Sequence, residues 1–218
     1  MLFPIRSKNP PESLPILTVL LIVANTFIFF MTSNGLVAHE AVVHAWGMKG
    51  ATFDWLRAFT SMFLHGDLFH LLGNMWFLYL FGFAVEGRLK TWKFAVVYLL
   101  AGLAGDVLHF VMLGAANPDI PSIGASGAIM GVLGAGMYLF PHGKVTFFAL
   151  FYFHVRTWDW PMWGVGLMYI AFDLVPALLM LEDGVGHFAH LGGIGAGFLI
   201  VLAMRAQRDS EMASDAKA

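Results

Sequence analysis

The chain has 218 residues, of which 59% are hydrophobic and 12% are charged, with a formal net charge of −2. Soluble domains carry about 25% charged residues, so this composition and the mean hydropathy of +0.74 predict a polytopic membrane protein. The sequence contains no cysteine, which excludes disulfide bonds and thiolate-ligated metal sites.

Six apolar runs follow one another along the chain, and a bilayer-spanning helix needs about 20 such residues. The runs occupy residues 15–31, 68–85, 94–114, 123–140, 161–181 and 187–204. We therefore predict an all-α fold, with a six-helix membrane domain over 15–204, an N-terminal segment over 1–14 and a polar, frayed tail over 205–218. The basic flank of the first run is typical of a signal peptide, but the run is longer than an h-region, so we expect it in the mature protein.

The connecting segments and the basic residues predict the orientation. Residues 32–67 mix aromatic and charged side chains, which favours an outer interfacial loop with short amphipathic helices. Residues 144–160 are apolar over too short a stretch to cross, which favours an interfacial or re-entrant piece. All Lys and Arg residues except Lys49 and Arg57 fall on the side of the N-terminus, so both termini are predicted to be cytoplasmic.

Polar groups from three of the runs are predicted to lie at one level near the outer surface. They are His70 and Asn74 in the second run, Ser126 in the fourth, and His187 and His190 in the sixth. Ionisable groups inside a span are candidates for a functional site. A serine needs an adjacent base to become a nucleophile, and a tetrahedral intermediate needs hydrogen-bond donors, so this set suits acyl transfer. For Ser126 alone, the alternative is a packing helix whose hydroxyl bonds to a preceding carbonyl.

Two glycine-rich faces predict how the serine and the histidine meet. Gly127, Gly131 and Gly134 leave one face of the fourth run bare, and Gly193 and Gly197 do the same for the sixth. Small residues allow two membrane helices to approach backbone to backbone. We expect this packing to bring the two side chains within hydrogen-bond distance.

Three motifs together resemble the rhomboid family of intramembrane serine proteases. They are Gly-Ala-Ser-Gly at 124–127, His65-x4-His70-x3-Asn74, and Ala-His-Leu-Gly-Gly at 189–193 followed by Gly197. The resemblance implies a six-helix rhomboid-like bundle and a Ser126–His190 catalytic dyad with no obligatory carboxylate. It further implies an oxyanion hole formed by the His70 and Asn74 side chains with the backbone N–H of Ser126.

The resemblance also carries expectations about partners and location. It implies substrates that are transmembrane segments of other proteins, in a lipid bilayer, with no cofactor, no metal and no nucleic acid; the oligomeric state is left open. A compact six-span chain implies a bacterial cytoplasmic membrane, with the site opening to the outer side. Small or helix-breaking residues are expected near the cleaved bond.

Further residues are assigned supporting or structural roles. Gly124 and Gly127 flank the serine, and Arg57 with Trp55 resembles a loop signature of the family with one residue inserted between them. Met130 stands where some relatives have a tyrosine that stacks on the histidine. We expect His65 to bond loop backbone and three groups to make interhelical hydrogen bonds, with no third triad member named: Asp106, His109 and Asp173.

Other mechanisms and classes fit the motifs less well. A zinc protease needs His-Glu-x-x-His, whereas His39 and His44 are five residues apart. An aspartyl protease needs a partner for Asp106, and metal binding by His187 and His190 needs a third ligand; neither is apparent. Haem ligation by histidines and a catalytically silent, rhomboid-like client-binding protein are the remaining alternatives.

Overall fold

The computed structural model describes residues 2–151, 154–181 and 183–215, and most of them are helical. The apolar segments form the long helices. These are α1 (Ile16–Thr32), α4 (Leu68–Phe77) continued through a π-helical turn (Leu78–Gly82) into α5 (Phe83–Leu89), α6 (Thr91–Leu113), α7 (Ser126–Leu139), α8 (Met162–Leu178) and α9 (His187–Asp215).

Three helical runs among the described residues are long and apolar enough to cross a membrane, namely Leu68–Leu89, Thr91–Leu113 and His187–Gln207. The other three apolar helices, α1, α7 and α8, have 17, 14 and 17 residues. The chain is accordingly a multi-pass integral membrane protein.

The segment after the last apolar run differs from the expectation of a frayed tail. Helix α9 continues beyond the membrane-length part as far as Asp215, and residues 216–218 lie outside the described part. The extension contains Ala, Arg, Gln, Glu and Met, which are good helix formers. Adding such residues to an existing helix needs no new nucleation, so the helix propagates.

Residues 32–67 contain two short helices, as expected, α2 (Glu40–Trp46) and α3 (Trp55–Ser61). The side chain of Asp54 caps α3 by accepting from the backbone N–H groups of Leu56 and Arg57.

The fold is mostly helical, but the all-α prediction missed two small sheets. Strands β1 (Leu2–Ser7), β4 (Lys144–Phe151) and β5 (His154–Pro161) form an antiparallel sheet in the order β1-β4-β5. A second pair joins β2 (Met48–Lys49) to β3 (Pro121–Ser122). The segment expected to be interfacial or re-entrant is therefore a β-hairpin.

The hairpin is explained by side chains in β4 that alternate between a buried and a polar face. Val145, Phe147 and Ala149 are buried on one face of β4, while Thr146 on the other face donates a hydrogen bond to Asp159 in β5. Alternating burial of β-branched and aromatic residues stabilises a strand whose other face stays polar.

Helix α7 is the centre of the molecule. Its ten residues 127–136 are all buried, so neighbours cover every side of it. An added Cβ at Gly193 or Gly197 would lie 2.0 or 1.9 Å from the carbonyl oxygens of Gly127 and Gly131. The expected backbone-to-backbone packing of α7 on α9 is therefore observed, because only glycine fits at these two points.

A buried carboxylate fixes the start of α1. Glu86 in α5 is fully buried. Its oxygens accept from the backbone N–H groups of Leu17 and Thr18 at 2.9 and 2.7 Å, and from the hydroxyls of Thr18 and Thr91 at 2.7 and 2.9 Å. These donors satisfy the charge where water is excluded.

Candidate active site

Ser126 is the first residue of α7, at the point where the chain turns into the helix. Gly124 has φ +127, a conformation that favours glycine, and its N–H donates to the carbonyl of Ser61 at 2.9 Å. The first four N–H groups of a helix have no acceptor within it. The backbone N–H of Ser126 is one of these, beside its own hydroxyl.

The hydroxyl of Ser126 lies 2.8 Å from Nε2 of His190 in α9. Close packing of the two helices explains the distance. Gly193 lies one turn beyond His190 and faces the carbonyl of Gly127, while Ala189 lies against Gly127 on the same side. Glycines therefore hold the serine-bearing end of α7 against the histidine-bearing end of α9.

Asp173 of α8 contacts the same histidine from its other side. Its Oδ1 lies 2.9 Å from Nδ1 of His190 and also 2.8 Å from Nδ1 of His187. The aspartate side chain is 7% exposed. Asp173 thus makes the interhelical hydrogen bonds expected of it, but no third triad member was predicted and no carboxylate near the two histidines was apparent from the sequence. The available signal was an ionisable residue inside an apolar run, which pairs with a partner inside the bundle.

A second carboxylate, nearer the surface of the protein, contacts the other nitrogen of His187. Nε2 of His187 lies 3.1 Å from each oxygen of Asp183, in the loop before α9. The backbone N–H of Val185 and then the His187 ring lower the pKa of Asp183, because both donate to its ionised form.

Asp173, His187 and His190 also have the spacing of a cation site, with one ligand atom from each within 4.8 Å of the others. Both Nδ1 atoms nevertheless lie at hydrogen-bond distance from a single aspartate oxygen. Hydrogen bonds from the two imidazole rings to this oxygen account for the short distances without a metal ion.

Two polar side chains of α4 lie beside the turn that precedes Ser126. A Cβ added to Gly124 would be 2.9 Å from Nε2 of His70 and 3.7 Å from Nδ2 of Asn74. The N–H of Gly66 donates to Nδ1 of His70 at 3.4 Å, which leaves the proton of a neutral ring on Nε2. Nδ2 of Asn74 is buried without a partner among the described residues. Both groups thus direct donors toward the turn.

The remaining predicted residues lie in the loop or in the core. Arg57 belongs to the loop, where its guanidinium contacts Asp54 at 3.8 Å and the carbonyl of His44 at 3.4 Å. Met130 is buried one turn after Ser126. Asp106 of α6 lies 3.5 Å from the hydroxyl of Ser61, the interhelical contact expected of it.

His65 is almost fully buried, and neither of its ring nitrogens has a hydrogen-bond partner in the described part of the chain. Its expected contact with loop backbone is made to Phe63, at a geometry too weak for a full hydrogen bond. Its ring makes an edge contact with that of His70 at 5.1 Å between centroids. Burial, and then the nearby His70, lower the pKa of His65 to about 3, so the ring is neutral at physiological pH.

Comparison with known proteins identifies the family to which this chain is similar. The family described as the rhomboid domain matches residues 52–207. The rhomboid protease GluP of Bacillus subtilis is 29% identical over 195 residues, which cover 87% of this chain and 35% of that protein. The mitochondrial presenilin-associated rhomboid-like protein of Mus musculus is 30% identical over 177 residues, covering 74% and 45%.

The mitochondrial rhomboid protein 1 of Saccharomyces cerevisiae is 35% identical over 141 residues, covering 64% of this chain and 39% of that protein. The chain thus spans less than half the length of each of these relatives. Since they come from a bacterium and from mitochondria, the comparisons do not favour the bacterial membrane expected from the sequence.

Proposed function

Since this chain belongs to the rhomboid family, whose domain matches residues 52–207, we propose that it is an intramembrane serine endopeptidase. Ser126 is the nucleophile and His190 is the general base. The observation that carries the proposal is the 2.8 Å distance between the serine hydroxyl and Nε2 of that histidine. This distance is within the reach that proton transfer requires.

The reaction divides into acylation and deacylation. Ser126 Oγ attacks the carbonyl carbon of the substrate peptide bond while Nε2 of His190 takes the hydroxyl proton. The imidazolium then gives that proton to the leaving amine, and an acyl-enzyme remains. In deacylation a water molecule transfers a proton to Nε2 as its oxygen attacks the ester, and the imidazolium protonates Ser126 Oγ as it leaves.

Three donors are proposed to hold the oxyanion, the backbone N–H of Ser126, Nε2–H of His70 and Nδ2–H of Asn74. The unpartnered Nδ2 of Asn74 supports this role, because a buried donor without a partner is costly unless a ligand completes it. Fixed donors stabilise the negative charge that develops in the transition state and need little reorganisation.

We propose that six helices span the bilayer with both termini cytoplasmic, as the basic residues indicate. The 14 residues of α7 then cover about 21 Å of a hydrocarbon core about 30 Å thick. If α7 ends at the cytoplasmic side, Ser126 at its start lies about 10 Å below the outer surface of the hydrocarbon core, and water enters from above.

The proposed substrates are transmembrane segments of other proteins. A helical substrate shields its carbonyl groups, so cleavage requires local unwinding, which small or helix-breaking residues favour. A lateral path between α4 and α8 fits this substrate class. The rings of Phe77 and Tyr169 meet there at 5.4 Å between centroids, and Phe172 on α8 is exposed.

The test is cleavage of a single-span substrate in proteoliposomes by the wild type, Ser126→Ala and His190→Ala. Ser33→Ala and His44→Ala change the same residue types in the loop and serve as matched controls. We expect cleavage by the wild type and both controls, and a loss of about 10³-fold or more in the two dyad variants. Equal behaviour of all five folded proteins over a panel of substrates contradicts the proposal and favours the client-binding alternative.

A further inference from the structure

We propose that Asp173 is a positioning residue for His190 and that His187 in turn holds Asp173. This inference rests on the proposed function of Ser126 and His190, a dyad for which the resemblance implies no obligatory carboxylate. The four side chains form one hydrogen-bonded chain, from the Ser126 hydroxyl through His190 and Asp173 to His187.

The distances and the burial of the chain support this role. Oδ1 of Asp173 receives both Nδ1 contacts, at 2.9 and 2.8 Å, which are typical of charge-assisted hydrogen bonds. The side chains of Asp173, His187 and His190 are 7, 9 and 16% exposed. Because water is largely excluded, each of these bonds is stronger than at a surface.

The carboxylate decides which nitrogen of His190 carries the proton. An ionised aspartate only accepts, so Nδ1 of His190 must donate to it. The neutral ring then has its lone pair on Nε2, facing Ser126, which is the tautomer that a general base needs. The same carboxylate stabilises the imidazolium that forms when the ring takes the serine proton.

His187 supplies what Asp173 needs to remain charged inside the bundle. A buried carboxylate is costly unless it is paired. Nδ1 of His187 faces Asp173, and its Nε2 faces both oxygens of Asp183 at 3.1 Å. Two ionised carboxylates both accept, so His187 donates to both only as the doubly protonated cation. His187 therefore pairs with Asp173 and fixes its orientation before any substrate binds.

The kinetic test compares Asp173→Asn and His187→Gln with Asp106→Asn, which makes the same change at another buried aspartate. An asparagine at 173 can present its NH₂ to Nδ1 and so favour the wrong tautomer of His190. We expect kcat to fall by about 10²- to 10⁴-fold in Asp173→Asn, with KM within about threefold. His187→Gln is expected to lower kcat by about tenfold, and Asp106→Asn by less than about threefold.

A second measurement does not depend on cleavage. Nitrogen-15 NMR of histidine-labelled, EDTA-treated protein reports which nitrogen of His190 carries a proton. We expect the proton on Nδ1 in the wild type and on Nε2 in Asp173→Asn. If Asp173→Asn does not fold, the wild type and His187→Gln are compared instead. A proton on Nδ1 of His190 in the wild type that is partly lost in His187→Gln supports the proposal, and a wild type without it contradicts the proposal.

The outcomes separate the two proposals. A wild type that cleaves nothing but carries the Nδ1 proton contradicts the proposed function and leaves the positioning intact. An active wild type whose kcat and His190 tautomer are unchanged by Asp173→Asn overturns the positioning alone. An EDTA-treated wild type in which Nδ1 of His190 carries no proton also overturns it, and binding of Zn²⁺ to Nδ1 of both histidines in that protein then assigns the three side chains to a metal.

Discussion

Replacing Gly193 by alanine tests whether close contact of α7 and α9 maintains the site. The new Cβ would lie 2.0 Å from the carbonyl oxygen of Gly127, whereas ordinary van der Waals contact begins at 3.4 Å. Both atoms are fixed by the backbone of a helix, so neither can rotate away. The helices must separate by about 1.4 Å at this level, or one of them must distort.

The shift acts directly on the proposed dyad. Ser126 precedes Gly127, and His190 lies one turn before Gly193, so the 2.8 Å distance would grow to about 4 Å. A misplacement of about 1 Å costs about 10²-fold in rate. Overpacking of a tight core costs about 1–3 kcal/mol of stability. We therefore expect Gly193→Ala to lose about 10²-fold in kcat/KM and to melt at a lower temperature.

The assay is cleavage in proteoliposomes together with thermal unfolding in detergent, and Gly195→Ala is the matched control. Gly195 lies two residues along the same helix, and a Cβ there meets nothing within 4 Å. Alanine is favoured over glycine in a helix by up to about 1 kcal/mol, so this control should be as stable as the wild type or more so. Wild-type cleavage and an unchanged melting temperature in Gly193→Ala would show that the site does not depend on this contact between α7 and α9.

Three further substitutions test a contact of the turn before Ser126, the buried carboxylate of Glu86 and the burial of His65. Gly124→Ala should reduce cleavage by about tenfold or more, because it strains a positive φ and places Cβ 2.9 Å from Nε2 of His70; substrate kinetics with a melting-temperature control measure it. Glu86→Gln should lower stability by about 1–3 kcal/mol, because an amide cannot accept from all the donors of α1 and α6; thermal unfolding measures it, and an unchanged melting temperature contradicts it. His65 has its pKa lowered from 6.5 to about 3, so the unfolded chain binds a proton first as the pH falls below about 6.5, and the structure loses about 2 kcal/mol by pH 5. His65→Phe should therefore show a smaller drop in melting temperature between pH 7 and pH 5 than the wild type; an equal drop in both contradicts this.

The helices were predictable because their signal is local. The run 15–31 became α1 at Ile16–Thr32, and the run 94–114 became α6 at Thr91–Leu113. The approach of Ser126 to His190 was also within reach, because the small residues that permit it lie on the two helices themselves.

The sheet and the carboxylate were not predictable in this way, since both depend on contacts between distant parts of the chain. Strand β4 pairs with β1, which lies more than a hundred residues earlier, and hydropathy does not report this pairing. Asp173 reaches His190 from a different helix, so no fixed spacing links the two. The sequence showed only that an aspartate occupies an apolar run, which predicts a partner without identifying it.

The sharing of one aspartate oxygen by two histidines has a mechanistic consequence. In the proposed mechanism, His190 gains the serine proton, and its Nδ1 bond to Oδ1 of Asp173 then shortens and pulls on the carboxylate. His187 holds the same oxygen at 2.8 Å and is itself held by Asp183. The carboxylate therefore cannot follow without breaking the second bond, so it stays in place. A charge that does not have to move stabilises the imidazolium with little reorganisation energy, which is how a preorganised site lowers an activation barrier.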